Sequence, residues 1–143
     1  MEKKQPPMAM DGTIKVKCLQ YKSDGNTLTE KRETLTKLCD GVYYNRDTDA
    51  WGNSLYVFFF EDNGVYWFSQ IAHSENEFNR PGVKERLIDY RRNFRATLKE
   101  RAAGNNFINT LQIEVMRRLG EDVAPLLASR EAVSYTHLTL PTT

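Results

Sequence analysis

Residues 54–72 read SLYVFFFEDNGVYWFSQIA, two aromatic and β-branched runs joined by Asn63-Gly64. Asn-Gly suits the positive φ angles of a two-residue type I′ turn, so this stretch predicts a β-hairpin. A two-residue loop also sets the register: Asp62 opposite Val65, Phe60 opposite Trp67, Phe59 opposite Phe68 and Phe58 opposite Ser69. Successive strand side chains point to opposite faces. Tyr56, Phe58, Phe60, Trp67 and Ile71 therefore share one side, and Leu55, Val57, Phe59, Tyr66 and Phe68 the other. Both sides are apolar. Each large side chain left in water forfeits roughly 1.5–3 kcal/mol of burial, so a fold that covers only one side carries a costly exposure.

The flanking segments supply more strand. Thr13 to Lys22 alternates Ile14, Val16, Cys18 and Gln20 against Lys15, Lys17, Leu19 and Tyr21, the pattern of a half-buried strand. Asp24-Gly25-Asn26 ends it as a turn. Thr27 to Leu38 fits a strand continuing that hairpin, its four threonines outweighing a helical spacing of Leu28, Leu35 and Leu38; a short helix is the alternative. Val42 to Tyr44 reads as a further short strand after Gly41.

The pattern then changes period. Val83, Leu87, Tyr90, Phe94 and Leu98 recur at steps of three and four, predicting one helix from about Val83 to Ala103, opened by Pro81-Gly82 and closed by Gly104. Phe107, Leu111, Val115 and Leu119 predict a second helix, widened by Ile108 and ended by Gly120. Asp122 is placed to cap a third, Val123 to Arg130, with Pro125 in its first turn. Strands first and helices after predict an α+β fold: an antiparallel sheet of about four strands with the hairpin 54–72 at its centre, and two or three C-terminal helices packed on one face.

At 143 residues, 40% apolar and 27% charged, the chain has the composition of one globular domain. That domain is expected over residues 12–131, after a disordered N-terminal arm, residues 1–11. Residues 132–143, AVSYTHLTLPTT, carry no charge and resemble the in-frame translation of a transposon-type sequencing-library adapter. They are expected to be non-native and are left out of the fold. The longest purely apolar run, Leu55 to Phe60, is too short to span a membrane, and the first ten residues show no secretory signal. Cys18 and Cys39 are too few for a disulfide framework and read as reduced thiols of a cytoplasmic protein.

No catalytic, cofactor or metal motif is present. Asn45, Asp47 and Asp49 have the spacing of an EF-hand start, but Ala50 stands where glycine is needed and Tyr56 where the bidentate glutamate belongs. Cys18, Cys39 and His73 would make at most a three-ligand site with no close pair. Glu61 and Asp62 flank the hairpin turn, where acidic residues are structurally usual. No phosphate-binding glycine loop, GxSxG or HExxH occurs. The expectation is no enzyme and no cofactor.

Two features point to binding. The first is the aromatic side of the hairpin, with Tyr56, Phe58, Phe60 and Trp67 as candidate partner-binding residues; internal burial or a self-interface is the commoner fate of such a surface. The second is a charge asymmetry. The net charge is +1, but Val83 to Ala103 holds seven Lys and Arg against three Asp and Glu. On a single helix Lys84, Arg91, Arg92, Arg95 and Lys99 fall within an arc of about 100°, as phosphate contacts require and as an ordinary solvated face can also look. The sequence thus supports a small non-catalytic interaction or regulatory protein binding a protein partner or itself. The alternative is a nucleic-acid accessory protein using the 83–103 helix.

Overall fold

The computed structural model describes residues 12–139, with side chains through residue 131. The expected N-terminal arm and the last four residues of the adapter-like segment lie outside the described residues. The chain forms two compact units that divide between Arg92 and Asn93.

The first unit is a closed five-stranded barrel: β1 (Thr13–Tyr21), β2 (Leu28–Cys39), β3 (Val42–Thr48), β4 (Ser54–Asp62) and β5 (Val65–Ala72). Neighbours in sequence pair antiparallel throughout. An odd number of up-and-down strands leaves the first and last running the same way, so the closing pair, Leu19 opposite Trp67, is parallel. The sheet is therefore a closed, mixed one of five strands, in place of the expected antiparallel sheet of about four. The Thr27 to Leu38 segment is a strand: β2 pairs with β1 over nine consecutive positions from Thr13–Thr36 to Tyr21–Leu28. Asp24 builds the turn between them, its Oδ1 accepting from the amides of Asn26 and Thr27 at 2.8 Å each.

Curling the ribbon on itself is what hides one of its two apolar sides. Phe59 and Tyr66 join Ile14, Val16, Cys18, Leu35 and Tyr43 in the barrel interior, with Val57 and Phe68 packed against them. The turn has the expected form, Asn63 at φ 48° and Gly64 at φ 81°, and the register matches expectation as far as Phe59–Phe68. There the ladder slips. Phe58 faces Gln70, and Ser69 is the extra residue of a bulge. Ile71 consequently pairs with Val57 and belongs to the inner side, while Ala72 pairs with Tyr56 on the outer side. A second shift lies between Lys37 and Cys39. Bulges increase local twist, the curvature that closing so few strands demands.

Two helices complete this unit. α1 (Glu75–Phe78) is capped by Ser74, whose side chain accepts from the Glu77 amide, and α2 spans Val83–Arg92. The second unit holds α3 (Phe94–Ala103), α4 (Thr110–Arg118) and α5 (Ala124–Thr139). The expected single helix over 83–103 is thus two. Asn93 leaves the helical region at φ −97°, ψ 6°, and α3 restarts with Thr97 N bonding Asn93 O at 2.8 Å. Asn93 falls between the apolar steps Tyr90 and Phe94, so the stripe is unbroken in sequence while the backbone is not.

α3 ends at Ala103 with Gly104 as its C-cap, as expected. Asn105, at φ 60°, takes the left-handed position, with Asn106 N bonding Arg101 O and Asn105 N bonding Ala102 O. α4 starts at Thr110 instead of Phe107 because Asn109 and Gln112 form a reciprocal capping box, and Phe107 stays outside the helix and exposed. Gly120 ends α4 in the same Schellman arrangement. Asp122 accepts from Ala124 N at 3.0 Å at the start of α5, whose backbone continues into the segment set aside as adapter-like.

Candidate functional site

The outer side of the hairpin is not a free platform. Tyr56 is 6% exposed, Phe58 2%, Phe60 0% and Trp67 2%. α1 lays Phe78 on this side, its ring 4.2 Å from that of Tyr56, 5.0 Å from Tyr44 and 5.7 Å, nearly parallel, from Phe58. Tyr90 of α2 approaches Phe60 at 5.8 Å, and Trp67 meets Phe60 edge-on at 6.0 Å. The four candidate partner-binding residues are therefore core, because the fold buries both sides of the ribbon: one by closure, the other under short helices.

The five candidate phosphate contacts are divided between the units. Arg91 leans over Gly41, which has no side chain to obstruct it, and its Nε donates to the Glu61 carbonyl at 2.7 Å. Arg92 pairs with Asp89 at 3.6 Å, and Lys84 is exposed. In the second unit Arg95 and Lys99 both reach Glu121 at 3.0 Å, and these bonds, the Lys99 one first, hold the Glu121 carboxyl below the usual glutamate range. The row is expected on one helix; its residues lie on two, α2 and α3, separated at Asn93. Glu61, at the hairpin turn, accepts from the Gly64 amide at 2.9 Å, a structural use of the acid.

Among the described residues no group of three or more His, Cys, Asp or Glu is disposed to hold a metal ion. No helix among them is long and apolar enough to cross a membrane. Cys18 lies inside the barrel, where burial, and secondarily the charge of Glu33, push its thiol up to about 12. Within the second unit a pocket of about 370 Å³ is bounded by Ala102, Met116, Pro125 and Leu126, with the Lys99–Glu121 pair beside them.

The feature that stands out is the β3–β4 connection. Asp49 organises it: its Oδ1 accepts from Trp51 N at 2.9 Å and Asn53 N at 2.8 Å, its own amide bonds Asn53 O, and its carbonyl accepts from Gly52 N. The carboxyl sits below the usual aspartate range, chiefly through the Asn53 bond. On this fixed turn Trp51 is 85% exposed. Of the residues that mimic an EF-hand start, Asp49 is thus the turn-builder, while Asn45 and Asp47 lie within β3. Trp51 itself escapes the period-based reading because it lies on neither stripe. The available signal is local, a tryptophan inside Asp49-Ala-Trp-Gly-Asn53, where turn formation requires no large aromatic.

The same end of the barrel is open. On β4 and β5 the inward-facing residues nearer the Asn63-Gly64 turn, Phe59, Glu61 and Tyr66, are buried, whereas Leu55, Val57 and Phe68 are only half-buried and Ile71 is 36% exposed. Facing them across the mouth are polar inward positions. Glu33 Oε2 accepts from Gln20 Nε2 at 2.9 Å and Glu33 Oε1 from Asn45 Nδ2 at 3.1 Å. A carboxylate only accepts, so both amide orientations are determined and Asn45 Oδ1 points away from Glu33. That oxygen is buried and has no hydrogen-bond partner among the described residues. An unmet acceptor of this kind costs about 1–3 kcal/mol.

Comparison with known proteins finds no family model, curated protein or solved structure that matches this chain.

Proposed function

We propose that this is a non-catalytic interaction module that docks a protein partner at the open end of its barrel, with Trp51 as the anchor. The observation that carries the reading is the 85% exposure of Trp51 on a turn already locked by Asp49. A large aromatic held in place by its own backbone loses little conformational freedom on binding, and tryptophan is over-represented among residues that dominate interface energies. The expected aromatic sheet face gives way to this loop because its residues are consumed by the core. Nucleic-acid binding has less support: Arg91, Arg95 and Lys99 are engaged within their own units.

The test is selection of a displayed random-peptide library on the full-length chain in high salt, with Trp51→Ala and Trp51→Phe alongside. Apolar anchoring persists in salt, whereas phosphate-type contacts do not. Peptides enriched on the wild type are expected to lose at least tenfold in affinity on Trp51→Ala and less on Trp51→Phe. Equal binding to wild type and Trp51→Ala would overturn the assignment.

A further inference from the structure

The chemistry of the barrel mouth narrows what the partner must present there; this step rests on the docking reading above. One wall, from β4 and β5, is apolar and half-exposed: Leu55, Val57, Phe68 and Ile71. The opposite wall is rich in acceptors. Glu33 is held centrally by the Gln20 and Asn45 amides, each of which donates one bond to it. Asn45 Oδ1 is a buried acceptor facing no donor among the described residues. Asp47, the next inward position on β3, adds a second carboxylate at the rim, where Lys31, inward on β2 opposite Cys18, is exposed to solvent.

An occupant must satisfy both walls. A carboxylate or phosphate would meet Glu33 at close range with no cation committed to it. A purely apolar group would cover the methyl and ring surfaces of the β4–β5 wall yet strip water from Glu33 and Asn45 Oδ1 without replacing it. An aliphatic stem ending in a compact group of several N–H donors meets both demands, the stem lying along Val57 and Phe68 and the head facing Glu33 and Asn45 Oδ1. We propose that the mouth receives a lysine side chain of the protein partner, beside the contact made by Trp51.

The experiment needs no knowledge of the partner. The ¹⁵N-labelled full-length chain is titrated with N-acetyl-lysine methylamide and, separately, with its norleucine and glutamate counterparts, and the side-chain amide signals of Gln20 and Asn45 are followed. The lysine compound is expected to shift both signals saturably, with a Kd on the order of 10 mM for a lone side chain. Norleucine and glutamate compounds leave them in place. Glu33→Gln weakens the lysine response at least about tenfold, the size of one charge-assisted contact. Glu33→Gln and Trp51→Ala are each read in both assays, the peptide selection and the lysine titration, so loss of library binding and loss of lysine binding are separately readable. An unresponsive pair of amide signals, or an equal response to norleucine, would overturn the proposal on the wild-type protein alone, without depending on whether Glu33→Gln folds.

Discussion

Gly41 is the point at which the barrel and α2 are fastened, and replacing it tests that arrangement quantitatively. Its φ is 74°, and a Cβ added there would stand 1.9 Å from Nε and 2.2 Å from Cζ of Arg91. Gly41→Ala therefore carries two costs. The left-handed backbone is about 1–2 kcal/mol less favourable for alanine. Driving Arg91 away also breaks its 2.7 Å bond to the Glu61 carbonyl, and a hydrogen bond from a charged donor contributes about 1.5–3 kcal/mol. The sum is about 2.5–5 kcal/mol. If the second cost acts wholly through Arg91, it vanishes in an Arg91→Ala background, where Gly41→Ala should cost only about 1–2 kcal/mol. Equilibrium urea unfolding of the four proteins of this double-mutant cycle, in a Trp51→Phe background so that emission comes from the buried Trp67, measures the coupling. Costs of Gly41→Ala that agree within about 0.5 kcal/mol in the two backgrounds would refute the reasoning.

Two predictions concern ionisable groups. Arg117, and secondarily Arg118, bring the Glu114 carboxyl down to about 2; a depressed folded-state value means that its contribution to stability is present at neutral pH and fades between about pH 4.5 and 2, so Glu114→Gln should flatten that part of the acid-unfolding curve of the second unit, by a modest amount because solvent screens the largely exposed Arg117. Cys18, raised to about 12, should resist a thiol-specific disulfide reagent in the native protein while the half-buried Cys39 reacts, and both should react on unfolding; its raised value adds stability below the ordinary thiol range that is lost as pH climbs toward 12.

What could be read in advance was local. The Asn63-Gly64 turn carries its own backbone preference, so the hairpin and its register near the turn are legible, as is the alternation of Ile14, Val16 and Cys18. What failed depends on distant partners or single-residue irregularities. Ser69 has nothing in its chemistry that marks a bulge, yet its insertion moves Ile71 to the inner side. Closure through Leu19 and Trp67 joins strands about fifty residues apart and has no periodic signature. Asn93 breaks a helix whose apolar stripe runs straight through it. At the site, Glu33 lies in a strand with several exposed charges, and only its pairing opposite Val16 reveals that it points inward. The aromatic load of the hairpin was the right signal for a core and the wrong one for a docking surface, since Phe78 and Tyr90 cover it from helices.

Both of the chain's tryptophans take part in that contrast, and quenching distinguishes them. Iodide titration of two single-tryptophan proteins, Trp67→Phe retaining only Trp51 and Trp51→Phe retaining only Trp67, reads the exposure of each directly. Steep quenching of the first protein, close to that of a free tryptophan, and little of the second is expected. A protected Trp51, or a Trp67 open to iodide in the folded protein, would contradict it.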